Sequence, residues 1–338
     1  MRRTNVIDSS LWVKKQAENK LVDGHFKSAI PLLEKLLRLG RNDISLQEFA
    51  CARLGDSYIS LRKFDKAENY LKKAVKLNSK ESHYHYLLSI VYSASGMIAS
   101  VIKELEHAVT LSPHESEYQR VLGWAKIICG ESKEGIKHVR KAIKLNRENV
   151  YAYADLASYY LKLKQFSRVM RTLRRGLSEV PNNPFLLRAQ ILAERARKDY
   201  KKNKEQERKI RLRITKMNDP HFQKVRKTLL RSMTQSKYNE ALKISAQKVW
   251  YDFYKLRKLK IKRHVVWAAA LEYTIVRLNL VEGKTQKEIS NRYGVSESVI
   301  SYRFNDICRT LNIRVLDKRY ATGEDSLFDI FDSLLLED

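Results

Sequence analysis

Small and apolar residues recur along the first half of the chain with a period of 34 residues. Four aligned copies of this pattern begin at Glu48, Ser82, Ser116 and Val150. One aligned position is always leucine and another is always small, at Leu54, Leu88, Leu122 and Leu156 and at Ala74, Ala108, Ala142 and Gly176. A fixed period of this length indicates a supersecondary unit that stacks on copies of itself. The pattern predicts a pair of helices in each copy.

A third aligned position holds residues small enough for two helices to approach closely: Gly55, Ser89, Gly123 and Ala157. Pro113 and Pro181 lie where the second helix of a pair must stop. These features resemble the tetratricopeptide family, whose repeat is a helix-turn-helix unit with small residues at the helix contacts. The resemblance implies an all-α solenoid over residues 1–196.

Two further elements complete the predicted solenoid. Gly24, Phe26 and Ala29 match the turn and the start of a second helix, so a fifth copy is expected at about residues 10–43. Its register is offset from the other copies by the four residues 44–47. Residues 185–196 are expected to form a closing helix, which covers the last apolar face of such a stack.

In the tetratricopeptide family, the first helix of each repeat lines the concave surface. The resemblance therefore implies a row of candidate peptide-binding residues in this groove: Phe49, Tyr86, Ile90, Arg120, Trp124, Ile128, Tyr151 and Lys162. Most of them are aromatic or aliphatic, which suits an apolar peptide or an amphipathic helix of a protein partner. The alternative is that several of these side chains are packed within the stack.

Positive charge is concentrated after the repeats. The chain of 338 residues has a formal net charge of +28, and residues 184–263 contain 25 Lys and Arg against 7 Asp and Glu. Such a block indicates a polyanionic partner, with DNA favoured over RNA and with an anionic membrane or an acidic protein as weaker alternatives. No membrane partner is expected, because no apolar stretch is long enough to span a bilayer. Residues 197–236 are predicted to be a basic helical connector, either solvated or partly disordered.

Residues 285–304 have the pattern of a DNA-binding helix-turn-helix. Thr285 and Glu288 predict a capping box, and Gly294 predicts the turn before a second helix that Ser296 caps. The residues expected to face the DNA groove are Ser296, Glu297, Ser298, Ser301, Tyr302 and Asn305. Those expected near phosphates are Gln286, Lys287, Asn291 and Arg303, with Lys258, Lys260, Lys262 and Arg263 in an upstream basic cluster.

The pair Arg303 and Phe304 is unusual for a generic helix-turn-helix. Together with the upstream sequence Ala-Ala-Ala-Leu-Glu-Tyr, it resembles the end of the second cyclin-like repeat of transcription factor IIB and its archaeal counterpart. The resemblance covers residues 267–316 and implies a helical cyclin-like fold whose last two helices touch promoter DNA. No zinc ribbon or first cyclin repeat is visible, so a role as a general initiation factor is not implied.

The remaining features bound the function. Cys51, Cys129 and Cys308 lack the spacing of a disulfide framework or a zinc site, which predicts a reducing cytoplasmic compartment. No catalytic set, metal site or cofactor motif is present in the sequence, so we expect a non-enzymatic protein without a cofactor. The acidic, amphipathic residues 317–338 could pack on their own domain, occupy the solenoid groove or contact another protein.

These patterns predict four parts: a solenoid (1–196), a basic connector (197–236), a helix-turn-helix domain (237–316) and an acidic tail (317–338). The main hypothesis is a regulator that couples protein or peptide binding in the solenoid to contact with duplex DNA. The alternative is a protein-interaction scaffold whose basic segment binds RNA or an acidic protein and whose helix-turn-helix is structural.

Overall fold

The computed structural model describes residues 2–257, 259, 261–314, 317, 319 and 320, and these residues form α-helices without a β-strand. In chain order the helices are α1 (Arg2–Val22), α2 (Phe26–Leu39), α3 (Ile44–Ser60), α4 (Phe64–Leu77), α5 (Ser82–Ala94), α6 (Ile98–Leu111), α7 (Ser116–Ile128), α8 (Ser132–Leu145), α9 (Val150–Lys162), α10 (Phe166–Glu179), α11 (Pro184–Thr215), α12 (Pro220–Gln235), α13 (Glu240–Leu256), α14 (His264–Leu278), α15 (Gln286–Tyr293) and α16 (Glu297–Leu311). The predicted all-α fold class is confirmed. The predicted tail, from residue 321 onward, lies outside the described residues.

The chain divides into two compact units, unit 1 (Met1–Ala193) and unit 2 (Glu194–Asp338). The boundary falls inside α11. The sequence patterns predicted that a closing helix ends at residue 196 and that a separate connector follows it. Helix α11 instead continues without a break through Thr215. The helix continues because no Gly or Pro interrupts this segment and its Lys, Arg and Glu residues favour helix.

Unit 1 is a run of five helical hairpins. The second helices of the last four begin at Phe64, Ile98, Ser132 and Phe166, which are 34 residues apart. The predicted period is therefore confirmed. Helix α3 has 17 residues, whereas α5, α7 and α9 have 13 each. The four extra residues of α3 are the predicted offset, and they add about one turn to the start of the helix.

The turn inside each hairpin needs left-handed backbone at one equivalent position. Glycine occupies this position in three repeats, with φ of 73° at Gly24, 69° at Gly96 and 97° at Gly130. Arg62 and Lys164 adopt φ of 56° and 57° in the other two repeats. The same turn position therefore recurs in the first hairpin, formed by α1 and α2.

Close helix contacts explain the small residues of the repeat. A Cβ atom added to Gly123 in α7 would lie 2.7 Å from the carbonyl oxygen of Gly135 and 2.8 Å from the amide nitrogen of Val139, both in α8. At Gly55 the added atom would lie 2.5 Å from the Leu71 side chain. Because real Cβ atoms do not approach this closely, the hairpins pack at distances that only small side chains permit.

Unit 2 is built around α14. Eleven of the fifteen residues of α14 are buried, and α12, α13, α15 and α16 all pack against it. The rings of Trp250 and Phe222 stack with centroids 5.7 Å apart, and those of Phe253 and Trp267 lie 5.3 Å apart. A helix that is surrounded in this way is apolar on most of its faces, and the polar exceptions in α14 include the buried Glu272 and the exposed Arg277.

Candidate peptide-binding and nucleic-acid-binding surfaces

The predicted groove residues of unit 1 differ in exposure. Ile128, Tyr151 and Lys162 are exposed, and Ile128 retains 51% of its surface. The others are half-buried, namely Phe49, Tyr86, Ile90, Arg120 and Trp124. The row is therefore a partly packed surface rather than a fully open groove.

A cavity of about 200 Å³ lies between α3 and α5, the first helices of two consecutive repeats. It is lined by Phe49, Ala52, Arg53, Asp56, Glu81, His83, Tyr84 and Leu87. Phe49 also lies beneath two cations, with the Lys14 ammonium 4.4 Å and the Arg53 guanidinium 5.7 Å from its ring centroid. The cavity thus combines aromatic and aliphatic walls with charged groups of both signs, and its volume suits one large side chain.

Aromatic rings continue the surface next to this cavity. The Tyr86 ring stacks on Tyr118 with centroids 5.0 Å apart and on His83 with centroids 6.0 Å apart. Burial, followed by the nearby Glu117 carboxylate, raises the pKa of Tyr86 to about 12, so its hydroxyl stays protonated at neutral pH. This part of the row presents neutral aromatic surface.

Arg120 is held by carboxylates of its own unit. Its guanidinium donates to Glu117 at 2.9 and 2.6 Å and to Asp155 at 2.8 Å. Burial opposes the charge, but these hydrogen bonds and the two negative charges together raise the pKa of Arg120. The guanidinium also lies 5.7 Å from the Tyr151 ring centroid. Arg120 is therefore engaged in ion pairs within unit 1.

In unit 2, α15 and α16 form two helices joined by a tight turn. Thr285 and Glu288 form the predicted capping box, and Gly294 adopts the left-handed conformation at φ 60°. Ser296 occupies the N-cap of α16, but its side chain makes no capping hydrogen bond. Its hydroxyl lies instead 3.2 Å from that of Ser298, so the predicted role of the Ser296 side chain as a cap is wrong.

Hydrogen bonds fix α15 against α16. The Gln286 side-chain nitrogen donates to the Glu297 carbonyl oxygen at 2.6 Å and to the Ser301 hydroxyl at 2.7 Å. The Ser290 hydroxyl donates to the Val295 carbonyl oxygen at 2.6 Å. Gln286, predicted near phosphate, therefore has a structural bond to the second helix.

Most residues predicted to face a DNA groove are exposed: Ser296, Glu297, Ser298, Tyr302 and Asn305. Ser301 is half-buried. Of the predicted phosphate contacts, Lys287 and Asn291 are exposed, and Gln286 and Arg303 are half-buried. The buried side of α16 consists of Ile300, Ile307 and Leu311, opposite the exposed residues.

Arg303 has intramolecular partners. Its guanidinium lies over the Trp267 ring, 4.5 Å from the centroid, and over the Tyr302 ring at 5.1 Å. It also lies 3.6 Å from the Asp306 carboxylate. These contacts join α16 to α14 and leave about a third of the Arg303 side chain exposed.

The end of α13, just before the upstream basic cluster in sequence, lies beside α16. The Arg257 guanidinium donates to Asp306 at 3.3 Å and to the Thr310 hydroxyl at 3.1 Å, which places the end of α13 next to the C-terminal half of α16. Lys262 and Arg263 are exposed, whereas Lys258 and Lys260 lie outside the described residues. The end of α13 and the C-terminal half of α16, distant in sequence, are thus neighbours in unit 2.

A buried polar cluster that the sequence patterns did not predict joins α12, α14 and α15. The Glu272 carboxylate in α14 is fully buried and accepts hydrogen bonds from Arg292, from the Tyr293 hydroxyl at 2.8 Å and from the Ser232 hydroxyl at 2.8 Å. Burial, with the Glu272 charge second, raises the pKa of Tyr293. In the sequence, Glu272 is a charged residue within an apolar run. A charge in such a run indicates a buried partner, and this signal could have predicted the cluster.

Two kinds of feature, membrane-spanning helices and clusters of metal ligands, are absent from the part of the chain that the structure describes. Within it, no helix combines the length and apolar character that crossing a membrane requires. The same residues contain no group of three or more His, Cys, Asp or Glu side chains placed to hold a metal ion.

A curated relative is similar to part of the chain. The bovine (Bos taurus) protein BBSome complex member BBS4 is 26% identical over 140 residues, which are 41% of this chain and 26% of that protein. The chain thus spans about a quarter of the length of this curated relative.

Two solved structures are similar to about half of this chain. The MamA 41-end fragment from Desulfovibrio magneticus RS-1 is 18% identical, with a TM-score of 0.47, over 52% of this chain and 98% of the fragment. YrrB, described as a TPR protein with an unusual peptide-binding site, is 16% identical, with a TM-score of 0.42, over 51% of this chain and 87% of YrrB. The family model of the tetratricopeptide repeat matches residues 50–81. The matched residues cover most of α3 and all of α4, within the run of helical hairpins whose period is 34 residues.

Proposed function

We propose that unit 1 is a protein-binding scaffold that holds a peptide segment of a partner on its inner row. The observation that supports this most directly is the cavity between α3 and α5, which has the volume of one large side chain and an aromatic wall at Phe49. The half-buried Tyr86 ring, which stacks on the buried Tyr118, extends the same surface. Apolar anchors of this kind supply most of the affinity of protein interfaces. The bovine relative is named as a member of a complex, which agrees with a scaffold role.

A peptide-display experiment on the full chain tests this proposal. Random 12-residue peptides are selected on the immobilised protein, and the affinity of an enriched peptide is measured by fluorescence anisotropy. Phe49→Ala should weaken binding at least tenfold, which corresponds to about 1.4 kcal/mol. Leu111→Ala, which removes an exposed leucine of α6, is the matched control and should leave affinity unchanged. Failure to enrich any peptide, or equal affinity of Phe49→Ala with its helix content intact, contradicts the proposal.

We also infer a second function, in which unit 2 binds duplex DNA. Residues 194–320 contain 33 Lys and Arg against 13 Asp and Glu. The exposed side of α16 lacks a protein partner among the described residues, and Arg257, at the end of α13 just before the basic cluster, bonds to α16. The resemblance of residues 267–316 to a promoter-binding cyclin-like repeat agrees with this inference. A chain with both surfaces would bring a protein partner to DNA, as a regulator does.

Salt titration of the full chain with a fluorescent duplex tests the second function. Binding should weaken steeply with salt, because each neutralised phosphate contributes about −0.9 to the log–log slope. Replacing Lys262 and Arg263 by glutamate should weaken binding more than tenfold. The same charge change at Lys133 and Lys141, exposed residues of unit 1, should have a much smaller effect. Stronger binding to structured RNA than to duplex DNA, or equal effects of the two double variants, would favour the RNA-binding alternative.

A further inference from the structure

The outer side of α16 carries one narrow stripe of exposed residues. Ser298, Tyr302, Asn305 and Arg309 are all exposed, and their spacing places them within about 60° of one another around the helix. From Ser298 to Asn305 the helix rises about 10 Å, which is about three base-pair steps of duplex DNA. The stripe therefore has the length of a short base-reading surface.

Intramolecular contacts already engage several polar groups near the stripe, so these groups are not available to bind bases. The side-chain nitrogen of Gln286 donates to the Glu297 carbonyl oxygen and to the Ser301 hydroxyl. Arg303 stacks on Trp267. Among the described residues, no hydrogen bond engages the side-chain amide of Asn305, which lies in the middle of the stripe. Asn305 is thus the side-chain amide of the stripe that remains available to bind a base.

Apolar surface next to Asn305 is also unusually exposed. Tyr302 retains 67% of its surface and Val299 retains 38%, although both lie on a helix whose other large apolar residues pack inward. Tyr302 and Asn305 are three residues apart, a rise of about 4.5 Å, so they would face adjacent base pairs. The Arg309 guanidinium lies one turn further on, near the C-terminal end of α16.

We propose that α16 reads a duplex site containing adenine–thymine pairs. Asn305 would bond to N6 and N7 of one adenine in the major groove, which is the bidentate pairing that an asparagine amide fits. Tyr302 and Val299 would contact the methyl group of a neighbouring thymine. Arg309 lies too near the end of the helix to share these contacts, and it is assigned to phosphate. This inference rests on the DNA-binding function inferred above.

Base analogues test the assignment. The full chain selects sites from a random duplex pool, and the enriched site is then prepared with 7-deazaadenine, which lacks N7, or with deoxyuridine, which lacks the thymine methyl group. We expect one 7-deazaadenine to weaken the wild type at least fivefold and to leave Asn305→Ala unaffected. Deoxyuridine should weaken the wild type about threefold and leave Tyr302→Ala unaffected. Arg309→Ala is the control and should weaken all duplexes to the same extent.

The outcomes separate this inference from the function on which it rests. Salt-dependent duplex binding without enrichment of adenine–thymine pairs overturns the base assignment and leaves DNA binding intact. A 7-deazaadenine effect of equal size in wild type and Asn305→Ala overturns the role of Asn305. The absence of binding to any duplex overturns the DNA-binding function, and the base assignment with it.

Discussion

Replacing Arg292 by alanine should destabilise unit 2 by about 3 kcal/mol. Arg292 is the cationic partner of Glu272, whose carboxylate is fully buried, whereas the Arg292 side chain is 26% exposed. Removing one partner of a buried ion pair costs about 3–5 kcal/mol, because the other charge stays buried without compensation. The hydroxyls of Ser232 and Tyr293 still donate to Glu272 after the change, so the lower end of that range is expected.

Replacing the other partner of this ion pair, Glu272, should cost less stability. Glu272→Gln keeps the shape and an acceptor oxygen for Tyr293, and it leaves a cation that water already reaches at Arg292. We expect a loss of about 1–2 kcal/mol, typical of one altered hydrogen-bond network. The double variant should lose at least about 1 kcal/mol less than the sum of the single losses, because residues of one ion pair are coupled.

Fluorescence can isolate unit 2 in the intact chain. Trp250 and Trp267 lie in its core, so changing the unit 1 residues Trp12 and Trp124 to phenylalanine leaves these two as reporters. Urea unfolding then gives the stability of unit 2 for each variant. Arg277→Ala, an exposed arginine on α14, is the control and should stay within about 0.5 kcal/mol of the parent. Equal losses for Arg292→Ala and Glu272→Gln, or strict additivity in the double variant, would refute this reasoning.

Two further predictions concern packing and thiol reactivity. Gly123→Ala should lower the free energy of unfolding by about 1–3 kcal/mol in urea titrations followed by circular dichroism, because its methyl meets the backbone of α8; Gly55→Ala should cost less, since the Leu71 side chain can rotate. If Gly55→Ala costs as much, the backbone contact is not the cause. Burial raises the pKa of Cys308 to about 11, so about one thiol in a thousand is ionised at pH 8. Iodoacetamide should therefore label exposed Cys129 long before Cys308 in mass spectra, and equal rates would contradict this burial.

The solenoid was predictable because its signal is repeated. Four hairpins carry a small residue at the same helix contact, namely Gly55, Ser89, Gly123 and Ala157, so four copies reinforce one interpretation. Even the insertion at residues 44–47 could be located, since one extra turn keeps the buried face of α3 aligned with its neighbours. The end of α11 could not be predicted in the same way. Nothing in the sequence before Pro220 marks a stop, and the helix ends at Thr215.

The candidate surfaces were only partly predictable, because tertiary contacts decide which polar groups remain available. Spacing alone placed Gln286 and Arg303 near phosphate, but it could not show that Gln286 bonds to Ser301 or that Arg303 lies on Trp267. The Glu272 cluster joins α12, α14 and α15, and no local pattern connects residues so far apart. What the sequence does reveal is a charge inside an apolar run, and such a charge requires a buried partner.

The same contacts limit how much of the positive charge can neutralise DNA. Arg292 pairs with Glu272, whereas Arg257 and Arg303 share the single carboxylate of Asp306, so two carboxylates already offset two of these three positive charges. Among the described residues, the exposed cations that remain at the end of α13, just before α14, and in or just after α15 and α16 are Lys255, Lys262, Arg263, Lys287, Arg309 and Arg314. If all six contact phosphate, the log–log salt slope of duplex binding is about −5.4. A steeper slope would require phosphate contacts from other cations, and the exposed Lys and Arg residues of α11 are the largest such group. The net charge of the chain therefore overstates the charge that the two-helix surface itself can offer to DNA.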